Sequence, residues 1–140
     1  MDLTRLALAA LGAFVAYNIL GALLFTSSFL KGEFEKYPAI YRPKDAIMKV
    51  MPAGMAAMFV AMLVLAVIYA MLYPHGAGLR EGACFGALIG IFSVCTFVIH
   101  NHVNLNIGLR LTVLQGVAYF IEWLVVGIVI GLIYRPAALS

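Results

Sequence analysis

The sequence predicts an all-α polytopic membrane protein, with four transmembrane helices in an up-down bundle forming one domain over residues 1–140. Three observations lead there. First, the chain is 65% hydrophobic and only 11% charged, with a mean hydropathy of +1.06. Soluble domains run at about 45–50% apolar and about 25% charged residues. So few polar groups cannot cover a soluble surface, and the bilayer becomes the expected solvent. Second, four apolar stretches stand out, at about 6–29, 49–73, 82–100 and 111–134, each near the ~20 residues that cross a bilayer. Third, such segments must satisfy their own backbone in lipid, which helices do and open strands do not.

The first stretch, MDLTRLALAALGAFVAYNILGALLF, carries one basic residue, Arg5, ahead of its apolar run. That run exceeds the ~7–15 residues of a signal peptide, so a retained first span is expected. The loop from Leu30 to Met48 is the long one, with Pro38 and Pro43 as breakers. Its Phe34, Tyr37 and Tyr41 among charges suit the headgroup layer. Pro74 closes the second span; the loop to Glu81 is short and holds His75. Arg135 and Pro136 follow the fourth.

Lys31, Lys36, Arg42, Lys44, Lys49 and Arg110 flank the first and third loops, against Arg5, Arg80 and Arg135 on the other side. The bias favours those loops inside and both termini outside. Net charge is +3, and the basic residues are not gathered on one face, so nucleic acid is not an expected partner. The expected partners are the lipid bilayer and, for so small a bundle, copies of itself or a larger membrane complex. Cys84 and Cys95 lie in one predicted helix, roughly 16 Å apart, too far to bond to each other.

Polar residues inside the spans are the candidates for function. Glu122 sits near the middle of the fourth span. A carboxylate at bilayer centre costs at least ~2.5 kcal/mol, so it faces the bundle or water and usually has a partner. Thr112, Gln115, Tyr119 and Glu122 fall in a helical stripe about 80° wide. Asn18 lies at similar depth in the first span, and the two are expected to approach one another. One reading is an interhelical hydrogen bond worth about 1 kcal/mol. The other is a proton or ligand site at the midplane.

The segment VIHNHVNLNIGLR concentrates two histidines, three asparagines and an arginine. If the third helix continues, His100 and Asn104 share the side of its glycines. With Arg110, Thr112 and Gln115 they would form a polar mouth above the Asn18–Glu122 level. The simpler reading is an interfacial loop whose side chains bond backbone and headgroups.

Gly82, Gly86 and Gly90 repeat the GxxxG spacing of close helix packing, and Gly127 and Gly131 repeat it beside the Glu122 stripe. Met48, Met51, Met55, Met58 and Met62 line one face of the second span. Thioether and imidazole ligands suit copper(I), and MxxxM beside GxxxG resembles high-affinity copper transporters. Those have three spans and a methionine-rich N-terminal tail. A Met stripe is otherwise adaptable packing. His100 and His102 could hold zinc or copper, although in a helix they point apart. No CxxC, phosphate loop or Ser-His-Asp arrangement is visible, no enzyme is expected, and no cofactor is named.

The run from Gly78 to Tyr134 resembles the C-terminal half of small bacterial four-helix membrane proteins grouped as a domain of unknown function. In these, a Gly-rich third span ends in a polar turn, often Tyr-Asp-Leu-Thr-Asn. Here the turn corresponds to HNHVNLN at 100–106, followed by Arg110-Leu111-Thr112. His and Asn stand where that family often has Asp, and Gln115 and Glu122 where Asp and a small residue are expected. The resemblance implies a four-span fold in a bacterial inner membrane. The expected function is a transporter-like bundle with an intramembrane polar site. The alternatives are an accessory subunit of a membrane complex and a copper- or zinc-handling protein.

Overall fold

The computed structural model describes residues 2–74 and 78–135; His75 and Pro136 lie outside the described residues. The elements are α1 (Leu3–Phe25), α2 (Ser28–Phe34), α3 (Lys44–Leu72), α4 (Leu79–Ser93), a π-helical segment (Val94–Ile99), α5 (His100–Asn104) and α6 (Leu109–Ile133). Among the described residues four helical stretches are long and apolar enough to cross a membrane: α1, α3, α4 continued to Asn104, and α6. Their direction alternates, so this is an all-α, up-down, integral membrane bundle whose outer apolar side chains meet lipid.

Local chemistry sets the ends. Asp2 starts α1 by accepting the Arg5 N–H at 3.1 Å, a helix N-cap. Thr26 and Ser27 end it: their hydroxyls donate to the Ala22 and Leu24 carbonyls at 2.5 and 2.6 Å. Short hydroxyl side chains compete for the last carbonyls of a helix, so α1 stops at Phe25 rather than near residue 29. The long first loop therefore opens with a helix, α2. In turn α3 starts directly after Pro43 and carries Pro52 within it; membrane helices tolerate such a proline. The Glu81 carboxylate accepts the Gly78 N–H at 2.9 Å and starts α4.

The third span does not end at His100. It passes through the π segment to Asn104, leaving only residues 105–108 outside helix. A π segment delays the helical phase by about one residue, roughly 100°. His100 and Asn104 are consequently turned outward and exposed, while Gly82, Gly86 and Gly90 are buried. The expectation that they share the glycine side is corrected on this point.

The central helix is α6, with α4 on one side and α1 on the other, and α3 lies against α1. The α4–α6 contact is made backbone to backbone. A Cβ on Gly86 would stand 2.5 Å from the Trp123 carbonyl oxygen and 2.9 Å from the Leu124 Cα. One on Gly127 would collide with the Gly82 carbonyl and the Gly86 backbone. The two glycine rows thus face each other. At the chain-terminal end of the bundle the helices converge on buried Tyr69, whose ring meets Phe85 at 5.3 Å and Tyr73 at 4.8 Å. At the opposite end α3 leans away: no residue from Lys44 to Ala57 is buried.

Gly86→Val is expected to cost about 2 kcal/mol, the usual penalty of overpacking, in an unfolding titration in mixed micelles. Gly54→Ala, where a new Cβ meets nothing, should be neutral or stabilise by up to about 1 kcal/mol. Equal effects at the two positions would contradict the seam.

Candidate functional site

The site is built on the face of α6 turned from α4. Four polar residues descend it from the loop end: Thr112, Gln115, Tyr119 and Glu122. Thr112, Gln115 and Glu122 are buried, at 7, 6 and 1% exposure. Two of the upper three are hydrogen-bonded and the third is packed through its ring. The Thr112 hydroxyl pairs with His102 Nδ1 at 2.9 Å. The Gln115 amide donates to the Tyr41 hydroxyl at 3.4 Å. The Tyr119 ring packs edge-on against Phe25 at 5.5 Å and Phe97 at 5.4 Å.

Glu122, the deepest, has no partner: neither carboxyl oxygen has a hydrogen-bond partner among the described residues. Its Oε1 lies against Gly21 of α1, so closely that a Cβ there would be 2.7 Å away. Gly21 leaves space for the carboxyl and offers no side chain to bond it. Beside it, Tyr17 of α1 stacks on Trp123 with centroids 5.3 Å apart. The Trp123 indole nitrogen is also buried without a partner.

Asn18 does not bond Glu122. Its amide donates to the Phe14 carbonyl of its own helix at 2.8 Å. One residue on from Tyr17, it turns about 100° away into a groove of about 290 Å³ shared with Met51, Met55 and Met58 of α3. The helix that meets Glu122 is the expected one; the residue that does so is Gly21.

The methionine stripe divides. Met62 is in the core, Met58 is half-buried, and Met48, Met51 and Met55 are exposed. His102 is committed to Thr112 and His100 faces outward, so the structure joins neither to the methionines. Among the described residues no group of three His, Cys, Asp or Glu side chains could hold a metal ion.

Arg110, expected at a polar mouth, instead pins α2. Its guanidinium meets buried Glu33 at 3.1 Å, and Lys36 meets the same oxygen at 2.7 Å. The Tyr37 hydroxyl accepts the Gly108 N–H at 2.8 Å, at the start of α6. Phe34 meets Tyr41 edge-on at 4.7 Å and Phe25 at a tilt at 6.0 Å. The first loop is therefore a cap over the upper end of the polar stripe. Sequence reading assigned these aromatics to the headgroup layer and passed over Glu33, Tyr17 and Gly21. The pairing of Glu33 with Arg110 carried no local signal, and Gly21 carried none at all.

A protein-family model described as "Protein of unknown function (DUF1761)" matches residues 8–131. The chain belongs to this family. The match takes in the first two spans as well, so the resemblance is not confined to the C-terminal half. No curated protein and no solved structure matches the chain.

The Lys36 hydrogen bond, with Arg110 beside it, holds the Glu33 carboxyl below the usual carboxylate range. A carboxyl depressed in the folded state stabilises it above the unfolded pKa and loses that contribution as pH falls. The cap should therefore hold at neutral pH and loosen below about pH 4. The protection factor of the Gly108 amide, taken relative to its intrinsic exchange rate, should fall there, and Glu33→Gln should show the low protection already at pH 7. Arg110 is 71% exposed, so salt should weaken its share. Protection independent of both pH and Glu33 would contradict the ion-pair cap.

Proposed function

We propose that this member of the unknown-function family is a small transporter-like bundle, in a bacterial inner membrane, that binds and releases a proton at Glu122. The observation that carries the reading is a mid-span carboxyl, 1% exposed, with both oxygens unpartnered. A lone charge in so apolar a setting is costly, and a proton or another cation removes the cost. Polar groups kept only for packing are bonded across helices. Thr112 and Gln115 have such bonds and Tyr119 packs its ring between Phe25 and Phe97, whereas both Glu122 carboxyl oxygens are buried without a hydrogen-bond partner among the described residues. Above it, Gln115, Tyr41, Thr112 and His102 supply hydroxyl, amide and imidazole groups that can relay a proton toward the loop end.

A second reading, an accessory subunit or self-associating bundle, is favoured by the first half of α3. That stretch has no buried residue between Lys44 and Ala57. A single species of monomer mass in mild detergent would count against it.

The sign of a stability change separates a proton site from a packing contact. Replacing an unpartnered buried polar group with an apolar one of similar size removes about 1–3 kcal/mol of desolvation cost. Glu122→Leu should therefore raise stability in micelles by about that amount, and reduce potential-driven proton flux in proteoliposomes to the empty-vesicle background. A loss of about 1 kcal/mol, as for a broken interhelical bond, with flux unchanged, would overturn the reading.

A further inference from the structure

We infer that the groove between α1 and α3 is a binding site for a hydrophobic organic cation, which engages the Glu122 carboxyl past Tyr17 in exchange for its proton. This rests on the proton-binding reading of Glu122 and adds the class of substrate.

The groove and the acid share a wall. Tyr17 lines the groove and also packs at a tilt on Trp123, the residue after Glu122 and the only tryptophan in the chain. Gly21 follows Tyr17 by one turn on the same face of α1, and it is the residue against which the carboxyl rests. A rotation of the Tyr17 ring would thus join groove and carboxyl with no backbone change.

The lining selects for a cation with an apolar body. Aromatic faces attract cations, most strongly from Trp and Tyr when water is excluded, and Tyr17 and Trp123 supply them. Asn18 donates one of its two amide hydrogens to the Phe14 carbonyl, and its Oδ1 stands as an acceptor. No lining residue is basic, so an anion finds no opposite charge there. Met51, Met55 and Met58 give a deformable wall. A neutral apolar molecule would gain nothing by leaving lipid for such a groove; a cation gains the carboxylate. Access is lateral, because the first half of α3 stands away from the bundle and none of its residues is buried. The exchange balances: one positive charge binds the carboxylate as one proton leaves the carboxyl.

The test uses the full chain in detergent with benzyltrimethylammonium as probe and neopentylbenzene, its uncharged isostere, as control. Trp123 emission reports binding, and a pH dye in weak buffer reports proton release. The wild type should show a saturable emission change with the cation and release up to one proton per cation bound. Glu122→Gln should abolish release and weaken binding at least about tenfold. Tyr17→Leu should weaken binding about fivefold, and Tyr17→Phe, which keeps the ring face, should preserve it. If the cation gives no saturable change while Trp123 still reports a pH titration that Glu122→Gln removes, the cation site is overturned and the proton site stands. If that titration is missing as well, both fall. An equal saturable response to the neutral isostere, or proton release that persists in Glu122→Gln, would also overturn the cation site.

Discussion

The rest of the structure depends on the contact between α4 and α6. Lipid tails are as apolar as the side chains facing them, so helices in a membrane are not driven together by exclusion of water. Close van der Waals approach must hold them. The rows Gly82-Gly86-Gly90 and Gly127-Gly131 provide it, with backbone of one helix lying where the other's Cβ atoms would be. That contact fixes how α6 is rotated. Once its glycine edge is committed to α4, its polar edge has to face α1 and the cap.

The polar edge is graded by depth. Near the loop end, where water and headgroups are close, Thr112 and Gln115 find His102 and Tyr41. The cap that brings Tyr41 there is itself pinned by Glu33 between Lys36 and Arg110. Deeper, Glu122 lies against Gly21, near the Tyr17–Trp123 pair, and has no hydrogen-bond donor among the described residues. The stripe thus leaves a buried carboxyl unsatisfied at depth while Thr112 and Gln115 above it are bonded. Such a point is where a proton or cation is stabilised most by binding, and where binding most changes the energy of the closed bundle.

Much of this was legible in the sequence, for physical reasons. Four spans follow from lipid's demand that each segment bond its own backbone. Glycines four apart imply close packing wherever they land. The α6 stripe follows from 100° spacing, because α6 is a regular helix. What escaped notice depended on departures from regularity or on missing atoms. The π segment Val94–Ile99 has no sequence signature, and it swung His100 and Asn104 outward while bringing His102 onto Thr112. Asn18 looked the natural neighbour for Glu122 because it carries polar atoms, yet Gly21 holds that position because it carries none. Arg110 read as part of a polar mouth and Glu33 gave no signal of its own; their pairing is visible only after α2 folds back over α6.

The account turns on the acid of α6 lying inside the bundle against α1. The most direct measurement is a solid-state NMR dipolar-recoupling distance in bilayers between the Glu122 side-chain carboxyl carbon and the Gly21 Cα, with acyl-chain contacts recorded in parallel. The account predicts clear recoupling between the carboxyl carbon and Gly21, where an added Cβ would lie beside that carboxyl, and no transfer from lipid acyl protons to the carboxyl. A carboxyl carbon that shows no coupling to Gly21 and receives magnetisation from acyl chains would contradict it.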